Sequence, residues 1–325
     1  MTKIEGRILI TGGAGAIGSN LARELLARGG DVVIIDDLSS GYRDLVPAGA
    51  RFVEGSITDD AELAAAFDPP PDYVIHAAAL FANQNSVDHP QADLLVNGLG
   101  LIKVLELAVD ARVRKFLFCS SSCVYGGKGL MREDDVELNP DTPYAITKWL
   151  GERYIRYWAE QHNLNAASVR LFNVYGPGER PGRYRNVIPN FFALALRSEP
   201  LVVTGTGEET RDFTFMKDAV DGMLGVLATQ TTPGEIVNIG SGYPTRIIDL
   251  ATRINALTGN PAEICFAPRR SWDHVPHRNC DNTRARQMFG FAPSVSLDQG
   301  LELTLAWLKT HLLPTKPAAA IGAMT

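Results

Sequence analysis

A glycine-spaced turn near the start of the chain constrains its fold more than any other stretch. The apolar run Arg7-Ile-Leu-Ile10 leads into Thr11-Gly-Gly-Ala-Gly-Ala-Ile-Gly18, and residues 19–28 then follow helical spacing. Strand, glycine turn and helix in that order are the context a dinucleotide site requires. Gly12, Gly15 and Gly18 permit a tight turn and close backbone approach, so that a pyrophosphate can rest on the helix N-terminus beside Ala16 and Ile17. A glycine triplet alone is equally a plain turn. Here, however, the next apolar run, Asp31-Val-Val-Ile-Ile35, ends in Asp36-Asp37, about twenty residues on, as a dinucleotide fingerprint expects. A carboxylate there accepts hydrogen bonds from the adenosine ribose and repels a 2′-phosphate. The expected cofactor is NAD rather than NADP.

The alternation continues. Residues 51–54, 73–76, 115–119 and 166–170 read as strands, and 60–67, 91–111 and 143–162 as helices. Strands interleaved with helices predict an α/β fold, a Rossmann-like doubly wound parallel sheet. His76-Ala-Ala-Ala79 stands at a strand's C-terminal end, where ligands sit in such sheets. The small Ala77, Ala78 and Ala79 leave room for a cofactor, and His76 reads as a packing residue. Beyond Arg170 the pattern changes. An arginine-rich loop (179–185) precedes a helix at 187–197, a strand at 201–203, a strand at 211–215 and a helix at 217–228. Residues 235–239 resemble a sheet strand again, and 246–258, 282–289 and 296–311 read as helices. The expected division is a NAD-binding part, 1–174 with 211–243, and a smaller, partly interleaved α/β substrate part, 175–210 with 244–312. The Pro/Ala-rich tail, 313–325, is expected to be mobile.

Composition narrows the partners. A net charge of −6 without a Lys/Arg run argues against nucleic acid. No apolar run approaches a membrane span, and Met1-Thr-Lys-Ile-Glu-Gly6 lacks a signal peptide's apolar core. The four cysteines are scattered rather than laid out as a disulfide frame. A cytoplasmic protein is expected, and no metal site.

The chemistry concentrates in Thr142-Pro-Tyr-Ala-Ile-Thr-Lys148 and in Cys119-Ser-Ser-Ser-Cys123. Thr142 suits a helix N-cap and Pro143 the first turn. Tyr144 and Lys148, four apart, share one helix face. An ammonium beside a phenol favours loss of its proton, which makes Tyr144 a candidate acid/base near neutral pH. A serine hydroxyl could hold a substrate oxygen against it. A surface tyrosine with a solvated lysine gives the same spacing, so the pair gains its force from the dinucleotide pattern before it.

Taken in order, these motifs resemble the extended short-chain dehydrogenase/reductase family, the NAD-dependent sugar-nucleotide epimerases and dehydratases that include the UDP-hexose 4-epimerases. The resemblance runs from Ile8 to about Leu308. It includes Thr11-Gly-Gly-x-Gly-x-x-Gly18, Asp36-Asp-Leu-Ser-Ser-Gly41, His76-Ala-Ala-Ala79 and Asn97. It continues through Ser120-Ser-Ser-x-Val-Tyr-Gly126, Pro143-Tyr-x-x-x-Lys148, Arg170-Leu-Phe-Asn-Val-Tyr-Gly-Pro177, Arg211-Asp-Phe213 and Arg270-x-x-Asp273.

The resemblance implies that Tyr144 takes the proton of a sugar hydroxyl, that Lys148 lowers the phenol's pKa and binds the nicotinamide ribose, and that Ser121 bonds the same sugar oxygen. It assigns the cofactor to the glycines, to Asp36, Asp37, Leu38, Ser39, Ser40 and Gly41, and to the alanines and Asn97. Ser56 and Ile57 fall near the adenine, Ser56 where the family usually has an aspartate. Phe81 stands where some epimerases carry a lysine. For the substrate, a UDP-linked sugar, the resemblance implies Phe81, Ser121, Ser122, Val187 and Asp273, with Asn173, Asn186, Arg211 and Arg270 around the diphosphate. The planar fork of arginine suits phosphate oxygens. Arg180, Arg183 and Arg185 stay unassigned. Relatives commonly pair as dimers through the helices at 91–111 and 143–162, where Leu94, Leu95, Leu101, Leu105 and Trp149 offer apolar surface.

The branch is read from Ser121-Ser122-Cys123. Dehydrating relatives usually carry Asp-Glu where this chain has Ser122-Cys123, and decarboxylating ones commonly carry glutamate at 123. The expected activity is therefore epimerisation at C4 of a UDP-hexose or UDP-hexuronate through a 4-keto intermediate. The alternative is inversion at C3 or C5 of a 4-keto sugar with Cys123 moving the proton. That chemistry needs a second acid, and the facing loop offers Asn186, which does not titrate. A non-catalytic dinucleotide-sensing protein is a third class, but it need not keep Ser121, Tyr144 and Lys148 together.

Overall fold

A computed structural model describes residues 4–127, 129–135 and 138–311; the tail expected to be mobile lies outside them. Its centre is a parallel sheet of β1 (Arg7–Thr11), β2 (Asp31–Asp36), β3 (Arg51–Glu54), β4 (Tyr73–His76), β5 (Lys115–Ser121), β6 (Ala166–Leu171) and β7 (Glu235–Ile239). The strands lie in the order β7-β6-β5-β4-β1-β2-β3. The chain winds outward from β1 to β3, then returns to build on the other side of β1. The order therefore reverses between β1 and β4, and the crevice at their carboxyl ends is where such sheets bind ligands.

Alternation along each strand divides the core. Ile8 and Ile10 of β1 pack with Leu21 and Leu25 of the Ala16–Ala27 helix and with Met223 of the Met216–Ala228 helix. Leu9 points the opposite way, into a layer with Val33, Leu105, Phe116 and Ile155. Both faces are covered, as a parallel sheet requires. A third cluster gathers Ile188, Phe191 and Phe192 with Leu250, Ile254, Leu301 and Leu305, all from beyond residue 175.

Two segments differ from their sequence reading. The helix at 91–111 is continuous but not uniform: Leu94–Gly100 is wound as a π-helix ahead of the α-helix Leu101–Asp110. The wide turn holds Gly98, Gly100 and Asn97, whose buried amide is bonded outside the helix ladder. The strand at 211–215 divides at Phe213. Thr210–Asp212 pairs antiparallel with Pro244–Arg246, whereas Thr214–Phe215 pairs in parallel with Val174–Tyr175. The Asp212 carboxylate, accepting from the N–H groups of Ser241, Gly242 and Cys280, anchors the division point.

The Pro143–Gln161 helix carries the site. Thr142 caps it, accepting from the N–H of Ala145 at 3.3 Å, and Pro143 occupies its first turn. It lies flat on β5 because Gly151 has no side chain: a Cβ there would stand 2.5 Å from the Phe118 ring. One residue on, Glu152 accepts from Arg170 Nε and Nη2 at 2.8 and 2.7 Å and from Ser120 Oγ at 2.5 Å. Both ion-pair partners are 2% exposed. Removing one partner of such a pair leaves a buried charge uncompensated. Glu152→Ala is accordingly expected to cost about 3–5 kcal/mol, and joint replacement by Glu152→Leu and Arg170→Met much less. Denaturant unfolding of the single and double variants measures the difference; a single variant as stable as the parent would remove this pair as an anchor.

Candidate functional site

The carboxyl ends of the strands open on one cavity. The segments after β1, β2 and β3 contribute Gly12, Gly15, Ala16, Ile17 and Gly18, then Asp36, Asp37, Ser39, Ser40 and Gly41, then Ser56 and Ile57. Those after β4, β5 and β6 contribute Ala77–Phe81, Ser121–Cys123 and Asn173, with Tyr144, Lys148 and Asn186 completing the wall.

The glycine turn fits a dinucleotide. Gly15 caps the Ala16–Ala27 helix without any side-chain bond, so no capping side chain takes the first-turn N–H groups. Gly12 adopts φ +71°, and a Cβ on it would lie 2.6 Å from the Ala78 nitrogen; one on Gly18 would lie 2.3 Å from the Gly12 carbonyl oxygen. Asp36 ends β2 with its carboxylate accepting from Ala14 N and Leu38 N, both at 2.9 Å. Burial raises its pKa, against the pull of these N–H groups. Leu38 supplies this N–H and does not line the cavity.

Two of the arginines left unassigned in the sequence meet this end. Arg185 Nη2 donates to the Ser40 carbonyl at 2.5 Å, and the Arg180 guanidinium lies 4.1 Å above the Tyr42 ring and pairs with Asp44. Asn20 Nδ2, from the glycine-turn helix, donates to the Pro177 carbonyl at 2.8 Å. The loop at 177–186 is thus clasped to the cofactor segments. Arg183 turns away to Asp88.

Asn97 sits beside Val96 and bonds Leu80, two residues of the cavity wall. It is buried off the cavity, its Oδ1 accepting from Leu80 N at 2.8 Å and its Nδ2 donating to Asp93 at 2.7 Å. These bonds hold the segment after β4 in place. His76 is the packing residue expected. It is stacked on Phe116 and Phe118, with Nδ1 2.9 Å from Thr11 Oγ1. Burial, then Lys148, pulls its pKa down to about 3.

At the opposite end Tyr144 and Lys148 share a face as expected, but the electrostatics run the other way. Lys148 Nζ donates to the Cys119 carbonyl at 2.8 Å and sits 5.6 Å from the Tyr144 ring centre. Burial lowers its pKa to about 8. Burial, reinforced by Cys123, Asp93 and Cys119, pushes the phenol well above its ordinary value, with the Ser121 hydroxyl pulling it back. Spacing alone did not reveal how dry this face is. Phe81 meets Tyr144 edge-on at 5.9 Å between ring centres. Ser121 Oγ caps the short Ser122–Tyr125 turn through Cys123 N at 3.2 Å. Cys123 Sγ accepts from Asn83 Nδ2 at 3.5 Å and from Arg278 Nη1 at 3.8 Å.

The residues expected around the diphosphate divide. Asn173 and Asn186 line the cavity, Asn186 donating to Glu179 at 2.6 Å. Arg211 and Asp273 come together, 3.2 Å apart, but outside the cavity lining; burial, then Arg278, lowers Arg211 to about 10. Arg270 is exposed over the Trp272 ring, and Val187 begins its helix off the cavity. Glu179 and Arg278 are among the lining residues to which the sequence reading assigns no role. Burial raises Glu179 to about 7, so the facing loop does carry a titrating group beside Asn186. Its position after Tyr175-Gly-Pro-Gly178 was the available signal. Arg278 has none, since only tertiary pairing brings it in.

Residues 8–240 match the family model described as NAD dependent epimerase/dehydratase family. A curated relative from Bacillus cytotoxicus, UDP-N-acetyl-alpha-D-glucosaminuronate decarboxylase, is 35% identical over 93% of this chain and 98% of its own. UDP-glucose 4-epimerase from Mycolicibacterium smegmatis is 34% identical over 93% and 98%. The solved structure of an epimerase from Methanothermobacter thermautotrophicus superimposes with a TM-score of 0.93 at 45% identity, covering 95% of this chain and 93% of that one.

The buried Asp36 carboxylate generates a selectivity prediction. Fluorescence titration is expected to give NAD the tighter binding of the two dinucleotides by at least ~10-fold, and Asp36→Asn to narrow the gap. Equal affinities in the parent protein would remove Asp36 as the selector.

Proposed function

From the premise that the chain belongs to the NAD-dependent epimerase/dehydratase family and uses NAD, we propose that it inverts C4 of a UDP-linked sugar through a transient 4-keto intermediate. The observation that carries this reading is the wall beside Tyr144. It consists of Ser121, Ser122 and Cys123, without a carboxylate to expel water or direct loss of carbon dioxide. The curated relatives include an epimerase and a decarboxylase at similar identity, so these residues, not overall likeness, support the choice.

In this mechanism Ser121 and Tyr144 hold the O4 hydroxyl between them, and Tyr144 takes and returns its proton. Lys148, fixed on the Cys119 carbonyl, keeps a positive charge against the phenol ring. Bound NAD would supply a hydride acceptor at C4 and, when oxidised, a positive ring that favours the phenolate. The neutral side chains of Ser122, Phe81 and Asn173 leave the keto-sugar free to present its other face. In this reading residues 1–174 and 211–243 hold NAD, residues 175–210 and 244–312 hold the nucleotide sugar, and the setting is cytoplasmic.

A second reading is inversion at C3 or C5. The Arg278 guanidinium at the Cys123 thiol supports it, as does the titrating Glu179. Turnover of UDP-sugars in deuterium oxide separates the two. C4 inversion is expected to put no carbon-bound deuterium in the product by mass spectrometry, with Tyr144→Phe lowering turnover by ~10²-fold or more. Stoichiometric deuterium at C3 or C5, abolished by Cys123→Ser, would establish the second reading instead.

We also propose a homodimer. Leu94, Leu95 and Leu99 are exposed on the π-helical segment, and Ile146, Trp149 and Tyr157 on the helix beside it. Leu101 and Leu105, expected to join this surface, are buried in the sheet layer. Among the described residues no helix is long and apolar enough to cross a membrane, so this stripe suits a second copy. Light scattering at micromolar concentration is expected to give twice the chain mass, and Trp149→Glu to halve it.

A further inference from the structure

Arg278 is a buried cation that the C4 chemistry leaves without a task. It immediately precedes the two-residue strand Asn279–Cys280, which pairs in parallel with Leu130–Met131. That pairing brings its side chain to the cavity wall formed by Ser121, Ser122 and Cys123. Arg278 is 6% exposed; Nη1 donates to Cys123 Sγ at 3.8 Å, and Nε is buried with no hydrogen-bond partner. Its charged neighbours are Arg211, which already has Asp273, and Asp141, which feels it only through space. A thiol is a weak acceptor for a guanidinium with five donors. Burying such a charge without a matched anion is costly.

The position says which anion. Arg278 touches Cys123, two residues from Ser121, whose hydroxyl acts on the Tyr144 phenol. It therefore stands at the end of the cavity where bonds of the sugar ring react. On a nucleotide-diphospho-sugar the anionic group carried by the ring itself is a carboxylate at C5, whose two oxygens match a guanidinium fork. We infer that Arg278 is a specificity-determining residue that holds the C5 carboxylate of a UDP-hexuronate. This rests on the reading of the protein as a UDP-sugar epimerase but not on which carbon it inverts. A neutral hexose would leave the guanidinium unpaired, and a site built for a polar group discriminates strongly against an analogue lacking it.

The test is calorimetric binding to the NAD-loaded protein, beside kinetics. UDP-glucuronate is expected to bind at least ~10²-fold tighter than UDP-glucose, a gap within reach of one missing polar partner. Arg278→Gln should remove most of that gap, chiefly by raising KM for the hexuronate, while Arg278→Lys keeps part of it. Bare UDP should bind all three proteins alike, which also reports that the variants are folded. Preference of the parent protein for UDP-glucose would overturn the inference and leave C4 inversion standing, and that measurement needs no variant. Equal weakening of UDP and UDP-glucuronate by Arg278→Gln would also overturn it, by assigning the arginine to the diphosphate. Tight, Arg278-dependent hexuronate binding without C4 inversion would uphold it while removing the C4 reading.

Discussion

The site depends on how the Pro143–Gln161 helix is seated on β5. Three consecutive contacts fix that seat: Lys148 on the Cys119 carbonyl, Gly151 against the Phe118 ring, and Glu152 on Ser120 and Arg170. Each joins a helix position to a neighbouring strand position, so they act as one register lock. Rotating or lifting the helix would break a charged hydrogen bond, drive backbone into an aromatic ring and strand a buried ion together. Tyr144, one turn before Lys148, inherits its position from this lock. The serine that faces it inherits the same register from the strand side.

Burial then sets the electrostatics of the cavity. Tyr144, Glu179 and Asp36 are pushed up, whereas Lys148 is pushed down. Every one of these shifts moves a group toward its neutral form, the signature of desolvation outweighing pairing. Such a cavity is stabilised by an incoming charge of the right sign in the right place. The glycine turn, with uncapped N–H groups at a helix N-terminus, meets an anion at one end. Arg278 presents an unmatched cation at the other.

What the sequence disclosed was what short-range rules encode. The glycine spacing, the acid ending β2, the Thr142 cap and the proline after it are local devices, and each emerged where expected. The sheet followed from strands alternating with helices. What stayed hidden depends on contacts between distant residues. Arg278 arrives through a two-residue strand pair spanning about 150 positions, which no periodicity signals. Asn97 carries a motif's identity, yet its amide is consumed by Leu80 and Asp93. Leu101 and Leu105 look like surface leucines until the turn of the helix is known. The direction of the Tyr144 shift needed a measure of dryness that i,i+4 spacing does not contain.

The clasp at 177–186 has a consequence for how the cofactor is used. It ties one loop to the glycine-turn helix through Asn20 and to the segment after β2 through Ser40, Tyr42 and Asp44. A dinucleotide lying between those segments would have to part these contacts to leave. On the proposed placing of NAD, sugar nucleotides would exchange past a dinucleotide that stays in its seat from one turnover to the next. Chemistry suited to that arrangement returns its electrons within a single visit of the substrate, so its turnover draws nothing from the surrounding redox pool.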